Sequence, residues 1–77
     1  MDAHLASAFV GGIERAVSEI VKHPRIWRKV DEDIRLYLLM RFPYGIYYLI
    51  EDGHVYIVAV AHMRRNPGYW LGRAPKR

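Results

Sequence analysis

Residues 41–65, RFPYGIYYLIEDGHVYIVAVAHMRR, decide the fold. Two apolar stretches, 44–51 and 54–62, flank an Asp52-Gly53 pair. Asp-Gly is a preferred dipeptide for a two-residue type I′ turn, because both central residues need positive φ. The segment is therefore expected to form a β-hairpin whose turn sets the register. On a regular ladder Glu51 faces His54, Ile50 faces Val55, Tyr48 faces Ile57 and Ile46 faces Ala59. Ile46, Tyr48, Ile50, Val55, Ile57 and Ala59 then share one side, with Tyr47, Leu49, Tyr56 and Val58 on the other. Both sides are apolar. One helix covers only one of them, so the second needs another element, a partner chain or a bound peptide.

Upstream, Ile34, Leu36, Leu38 and Met40 alternate with Arg35, Tyr37, Leu39 and Arg41, which predicts a strand over 34–41 that Pro43 interrupts. Residues 24–33 read as a connection in which Trp27 plugs the end of the core. Before it, Leu5, Phe9, Ile13, Ala16, Val17, Ile20 and Val21 recur at three- and four-residue spacings, one face of a helix. Asp2 suits the N-cap, Lys22 and His23 suit the C-terminal dipole, and Pro24 stops the helix. Gly11 and Gly12 cost the helix on the order of 1–2 kcal/mol and point to close packing there. The expected class is α+β: one amphipathic helix packed on a three-stranded antiparallel sheet. A single domain fills residues 1–77, with a basic and flexible tail at 72–77.

A chain of 77 residues buries only about 60% of its unfolded surface, so its stability is marginal without a partner. It contains no cysteine, which excludes disulfides and thiolate metal sites. His4, His23 and His54 are scattered and no HExxH spacing occurs, so no metal or other cofactor is expected. Ser7 and Ser18 sit on the helix, without the strand-to-helix turn of a nucleophile elbow. No apolar run approaches the roughly 20 residues of a membrane span. An acid near the start, where a signal peptide wants cations, argues against export; a cytoplasmic protein is expected. Net charge is +4, and its distribution is one-sided: no acid follows Asp52, whereas Arg64, Arg65, Arg73, Lys76 and Arg77 do. Such asymmetry attracts an anionic partner, nucleic acid or an acidic protein segment.

The order helix, strand, FPY, strand, Asp-Gly turn, strand and basic-aromatic end resembles the RelE/ParE family of bacterial toxins, the toxic components of type II toxin–antitoxin pairs. The pieces that carry the resemblance are the helix ending at Pro24, Arg35 opening the first strand, RFPYGIYY at 41–48 and AHMRRNPGYW at 61–70. FPY-x-x-Y followed downstream by H-x-R-R-x-P is moderately specific, and the spacing between the two adds weight. The likeness is to ParE-like plasmid stabilisation toxins without their opening strand and first helix. In the family that strand joins the sheet beside the final strand. Residues 54–62 are thus expected to present an open apolar edge, which invites pairing. Self-association through that edge, or stability only with an antitoxin-like peptide, is the corresponding expectation.

The resemblance implies a cognate antitoxin and one of two targets. ParE-like members bind and poison DNA gyrase; RelE-like members cleave messenger RNA on the ribosome. Cleavage requires a proton taken from the 2′-hydroxyl, a phosphorane held by cations and a protonated leaving oxygen. Its candidate catalytic residues here are His62, Arg64, Arg65 and Tyr69, with Arg64 resembling the phosphate-holding arginine. Candidate partner-binding residues are Arg64, Arg65, Trp70 and Arg73. The middle strand, GIYYLIE, carries no cation, and the first supplies only Arg35 and Arg41, which favours binding over cleavage. An inactive family member that retains only antitoxin binding is the third reading.

Overall fold

The computed structural model describes residues 3–64. Helix α1 spans Ala3–Lys22. Its buried stripe is Ala16 and Ile20, with Ile13 and Val17 packed beside them. Leu5 and Val21, at the two ends of the predicted apolar face, stay exposed. At the C-terminus His23 donates its N–H to the Glu19 carbonyl, and the chain leaves the helix at Pro24, which has no N–H to offer. The expected N-cap, Asp2, lies outside the described residues. A Cβ on Gly12 would lie 3.4 Å from the Leu39 side chain, so the close approach predicted for the glycine pair is to a side chain.

Four strands follow: β1 (Lys29–Asp31), β2 (Ile34–Leu38), β3 (Tyr44–Glu51) and β4 (His54–His62), antiparallel and in sheet order β1-β2-β3-β4. The sheet therefore has one strand more than expected. β1 is short and exposed, and turns into β2 through Glu32, whose φ is 49°. No alternation marks such a strand. It pairs with β2 at Lys29–Arg35 and Asp31–Ile34, and the connection leading into it is held by the Arg35 guanidinium, which donates to the carbonyls of Trp27 (2.6 Å) and Arg25 (3.2 Å), and by the Leu36 N–H, which donates to the Arg28 carbonyl. β2 stops at Leu38, earlier than predicted, and the Leu39 N–H donates to the Tyr44 carbonyl at the base of the β2–β3 loop.

The β3–β4 hairpin forms as predicted at its tip. Asp52 (φ 54°) and Gly53 (φ 77°) make the left-handed pair of a type I′ turn. Glu51–His54, Ile50–Val55 and Tyr48–Ile57 are opposed as expected. Then the ladder slips. Tyr47 faces Ala59, leaving Val58 as an extra residue, and Ile46 faces Val60 instead of Ala59. This β-bulge corrects the facing as well. Val58 and Ala59 both pack on the side away from the helix, and Val60 moves to the helix side opposite Ile46.

Both faces are apolar, and each has its own core. On the helix side Ala16, Ile20, Ile46 and Tyr48 are buried together, with Trp27, Tyr37 and Val55 against them. Trp27 lies 4.7 Å from the Tyr37 ring and caps this cluster, as its position after the helix suggests. The Tyr48 hydroxyl donates to the Pro24 carbonyl at 2.7 Å, tying the helix end to the central strand. On the other side Ile34, Tyr47, Leu49 and Ala61 are buried, and none of the residues packed on them comes from α1. Full burial of Ile20, Ile46 and Leu49 contributes about 1.5–3 kcal/mol each.

Candidate functional site

The antiparallel meander sorts charge along its length. The β1–β2 and β3–β4 turns lie at one end of the sheet, and every acid between residues 24 and 64 is there: Asp31, Glu32, Asp33, Glu51 and Asp52. The opposite end holds the β2–β3 loop and the end of β4, with Arg41, His62 and Arg64 and no acid from the strands or loop.

Three elements build that basic rim. From α1, Phe9 projects onto the β2–β3 loop, its ring 5.2 Å from Phe42 and 5.0 Å from Tyr44, both edge to face. Tyr44 continues the row to His62 at 4.9 Å and 74°. At the other end the Arg41 guanidinium sits 5.7 Å from the Phe42 ring centroid, within cation–π range. The backbone locks the loop to the strand: Tyr44 donates to Phe42 across Pro43, and Met63 donates to the Pro43 carbonyl at 2.8 Å. Pro43 thus does more than interrupt a strand. Its carbonyl holds the end of β4, and with it His62 and Arg64, beside the aromatic row. A cavity of about 90 Å³ adjoins the rim between α1 and the loop, with Arg15 and Arg41 among its walls.

His62 is half-buried and Arg64 exposed. The Arg64 backbone N–H donates to His62 Nδ1 at 3.1 Å. With Nδ1 accepting, His62 is left with Nε2 as its hydrogen-bond donor in this geometry. Arg64 and Arg41 offer exposed guanidinium groups suited to carboxylate or phosphate oxygens.

Of the sequence-predicted residues, the structure places His62 and Arg64 together at this rim. Arg65, Tyr69, Trp70 and Arg73, and the tail at 72–77, lie outside the described residues. Arg35 is elsewhere, engaged with the carbonyls of the 24–28 connection. Sequence reasoning missed Phe9 and Phe42 as rim members. Phe42 belongs to the FPY segment and was legible, whereas Phe9 read as an ordinary member of the apolar helical face. Among the described residues no three His, Cys, Asp or Glu side chains come together as a metal site, and no helix is long and apolar enough to cross a membrane.

Residues 1–67 match a family model described as ParE toxin of type II toxin-antitoxin system, parDE. The matched span includes His62, Arg64 and Arg65 and stops short of Tyr69, Trp70 and Arg73. No curated protein and no solved structure matches the chain.

Proposed function

The chain belongs to the ParE toxin family of type II toxin–antitoxin systems, and from that premise we propose that it acts by binding and inhibiting DNA gyrase in the cytoplasm. Family membership implies a cognate antitoxin as its partner. The observation that carries the choice of a binding mechanism is the Arg64 N–H to His62 Nδ1 bond. It occupies the Nδ1 acceptor of His62, and among the described residues no carboxylate of the strands or loop stands at the rim to serve as a base. The exposed Arg41 and Arg64, with the aromatic row between them, are suited to hold a protein or nucleic-acid surface. Arg65, Trp70 and Arg73, outside the described residues, are proposed as further partner-binding residues.

A RelE-like ribonuclease is the second reading, favoured by the closeness of His62 and Arg64. It would use His62 and Tyr69 for proton transfer and Arg64 and Arg65 for the phosphorane. One pair of assays separates them. Purified chain is added to gyrase with supercoiled DNA and ATP, and in parallel to a translating ribosome extract with a defined messenger. Trapped double-strand breaks with intact messenger support the gyrase reading. Messenger cleavage that Arg64→Ala abolishes while antitoxin binding persists overturns it. Neither effect, with antitoxin still bound, identifies an inactive member that keeps only its antitoxin surface.

A further inference from the structure

β4 is an edge strand of nine residues, and among the described residues only β3 pairs with it. Edge strands in soluble proteins are usually short, or carry a lysine or proline that blocks pairing. Residues 55–61, VYIVAVA, have no lysine or proline, and the one device of this kind they carry is the bulge at Val58. Nor does α1 shelter the strand: Ile57 and Val60, both on the helix side, are 45% and 42% exposed, and Tyr56 on the other side is 46% exposed.

We propose that this edge is a homodimer interface, in which two copies pair β4 antiparallel about a two-fold axis between Val58 and Ala59 and join their sheets edge to edge. The bulge fixes the register. Directly opposed residues must share a face. The helix side holds Val55, Ile57, Val60 and His62, and the other holds Tyr56, Val58, Ala59 and Ala61. Only one antiparallel alignment matches faces along the whole strand: Ile57 against Val60, Val58 against Ala59, Tyr56 against Ala61 and Val55 against His62 of the second copy. Slipping it by one residue sets helix-side residues against the opposite face. The same alignment brings both bulges to the axis, so their irregularities coincide and the flanking segments pair cleanly. It also covers Ile57 and Val60, the exposed apolar residues that α1 leaves bare, with each other.

Charge favours a second copy as the occupant. The seam is uncharged, so the net charge of +4 is not concentrated along it. Antiparallel pairing also runs the acidic-turn end of one sheet toward the basic end of the other, so the Asp52-Gly53 turn of one copy approaches the end of β4 in its partner. The dimer does not depend on the gyrase reading, and either can fail without the other.

Sedimentation equilibrium of the full chain is expected to show a mass that rises with concentration from 9.1 kDa toward twice that value. Ile57→Lys should hold it at the monomer mass with an unchanged circular dichroism spectrum, since the side chain lies outside the core. The chain has no cysteine, so engineered thiols report cleanly. The double variant Ile57→Cys/Val60→Cys should form a disulfide-linked dimer on mild oxidation. Either single variant should not, because like positions sit roughly 10 Å apart along the strands, beyond the roughly 7 Å limit for bridged Cα atoms. A monomer at all concentrations, or single variants that cross-link as readily as the double, overturns the proposal. So does added exchange protection of those 55–61 amides that do not bond to β3, if it appears only when a second protein is present.

Discussion

Removing the Tyr48 hydroxyl isolates the contact that fastens the helix to the sheet. Tyr48 is fully buried, and its hydroxyl donates to the Pro24 carbonyl at 2.7 Å. In Tyr48→Phe the ring keeps its packing, so the loss is one hydrogen bond plus a part-buried carbonyl left without its donor, about 1–2 kcal/mol together. In a domain of this size each kcal/mol shifts Tm by about 4–8 °C, so a fall of about 5–15 °C is expected. The same substitution changes the alkaline behaviour. Burial raises the Tyr48 pKa above its ordinary 10.0, and Tyr37 is raised too, by burial first and the Glu19 carboxylate second. The folded state therefore keeps these protons at a pH where the unfolded chain has released them. The stabilisation is complete below about pH 10 and is lost as pH climbs through the folded-state values. Thermal melts by circular dichroism from neutral pH to about pH 11 should show a declining Tm in the wild type. Tyr48→Phe should start lower and decline less steeply. A drop of under about 2 °C at neutral pH, with the alkaline decline unchanged, would show that this bond does not hold the helix end.

The remaining expectations are local. Ile20→Ala empties a site of zero exposure between helix and sheet and should cost about 2–5 kcal/mol by denaturant midpoint. Arg35→Met strips two carbonyls of their donor, which should cost about 1–3 kcal/mol and speed hydrogen exchange at the Leu36 amide. Gly53→Ala forces a side chain into φ 77° and should destabilise by about 1 kcal/mol, while Glu32→Gly relieves φ 49° at the other turn and should leave stability equal or higher. Arg41→Ala and Arg64→Ala, both exposed, should leave the unfolding free energy, read by denaturant titration, within about 0.5 kcal/mol of wild type while weakening target inhibition. Loss of stability in either would reassign that arginine to the fold.

Local chemistry made part of this protein legible from its residues. The hairpin tip followed from Asp52-Gly53, because few dipeptides accept two positive φ values in succession. The helix and its end followed from periodic apolar residues and Pro24, and the kinship with ParE-like toxins from the order of these elements and the FPY and HxRR segments. The bulge at Val58 was hidden because both faces of the hairpin are apolar: without polar alternation, no residue marks where the facing changes. β1 was hidden for the opposite reason, since its exposed residues have no pattern and its place comes from pairing with β2 across the Glu32 turn.

The rim divides in the same way. His62 and Arg64 were marked as site residues by type and spacing alone. Their bond forms where Met63 is tied to the Pro43 carbonyl, a contact from outside the strand that no local pattern marks. Phe9 comes from a helix more than thirty residues away in the chain, and only packing carries it to Phe42 and Tyr44. Conformations confined to neighbouring residues are written in the chain because their energies are local. Register, facing and the company a side chain keeps are settled by long-range packing, where many near-equal local choices are decided together.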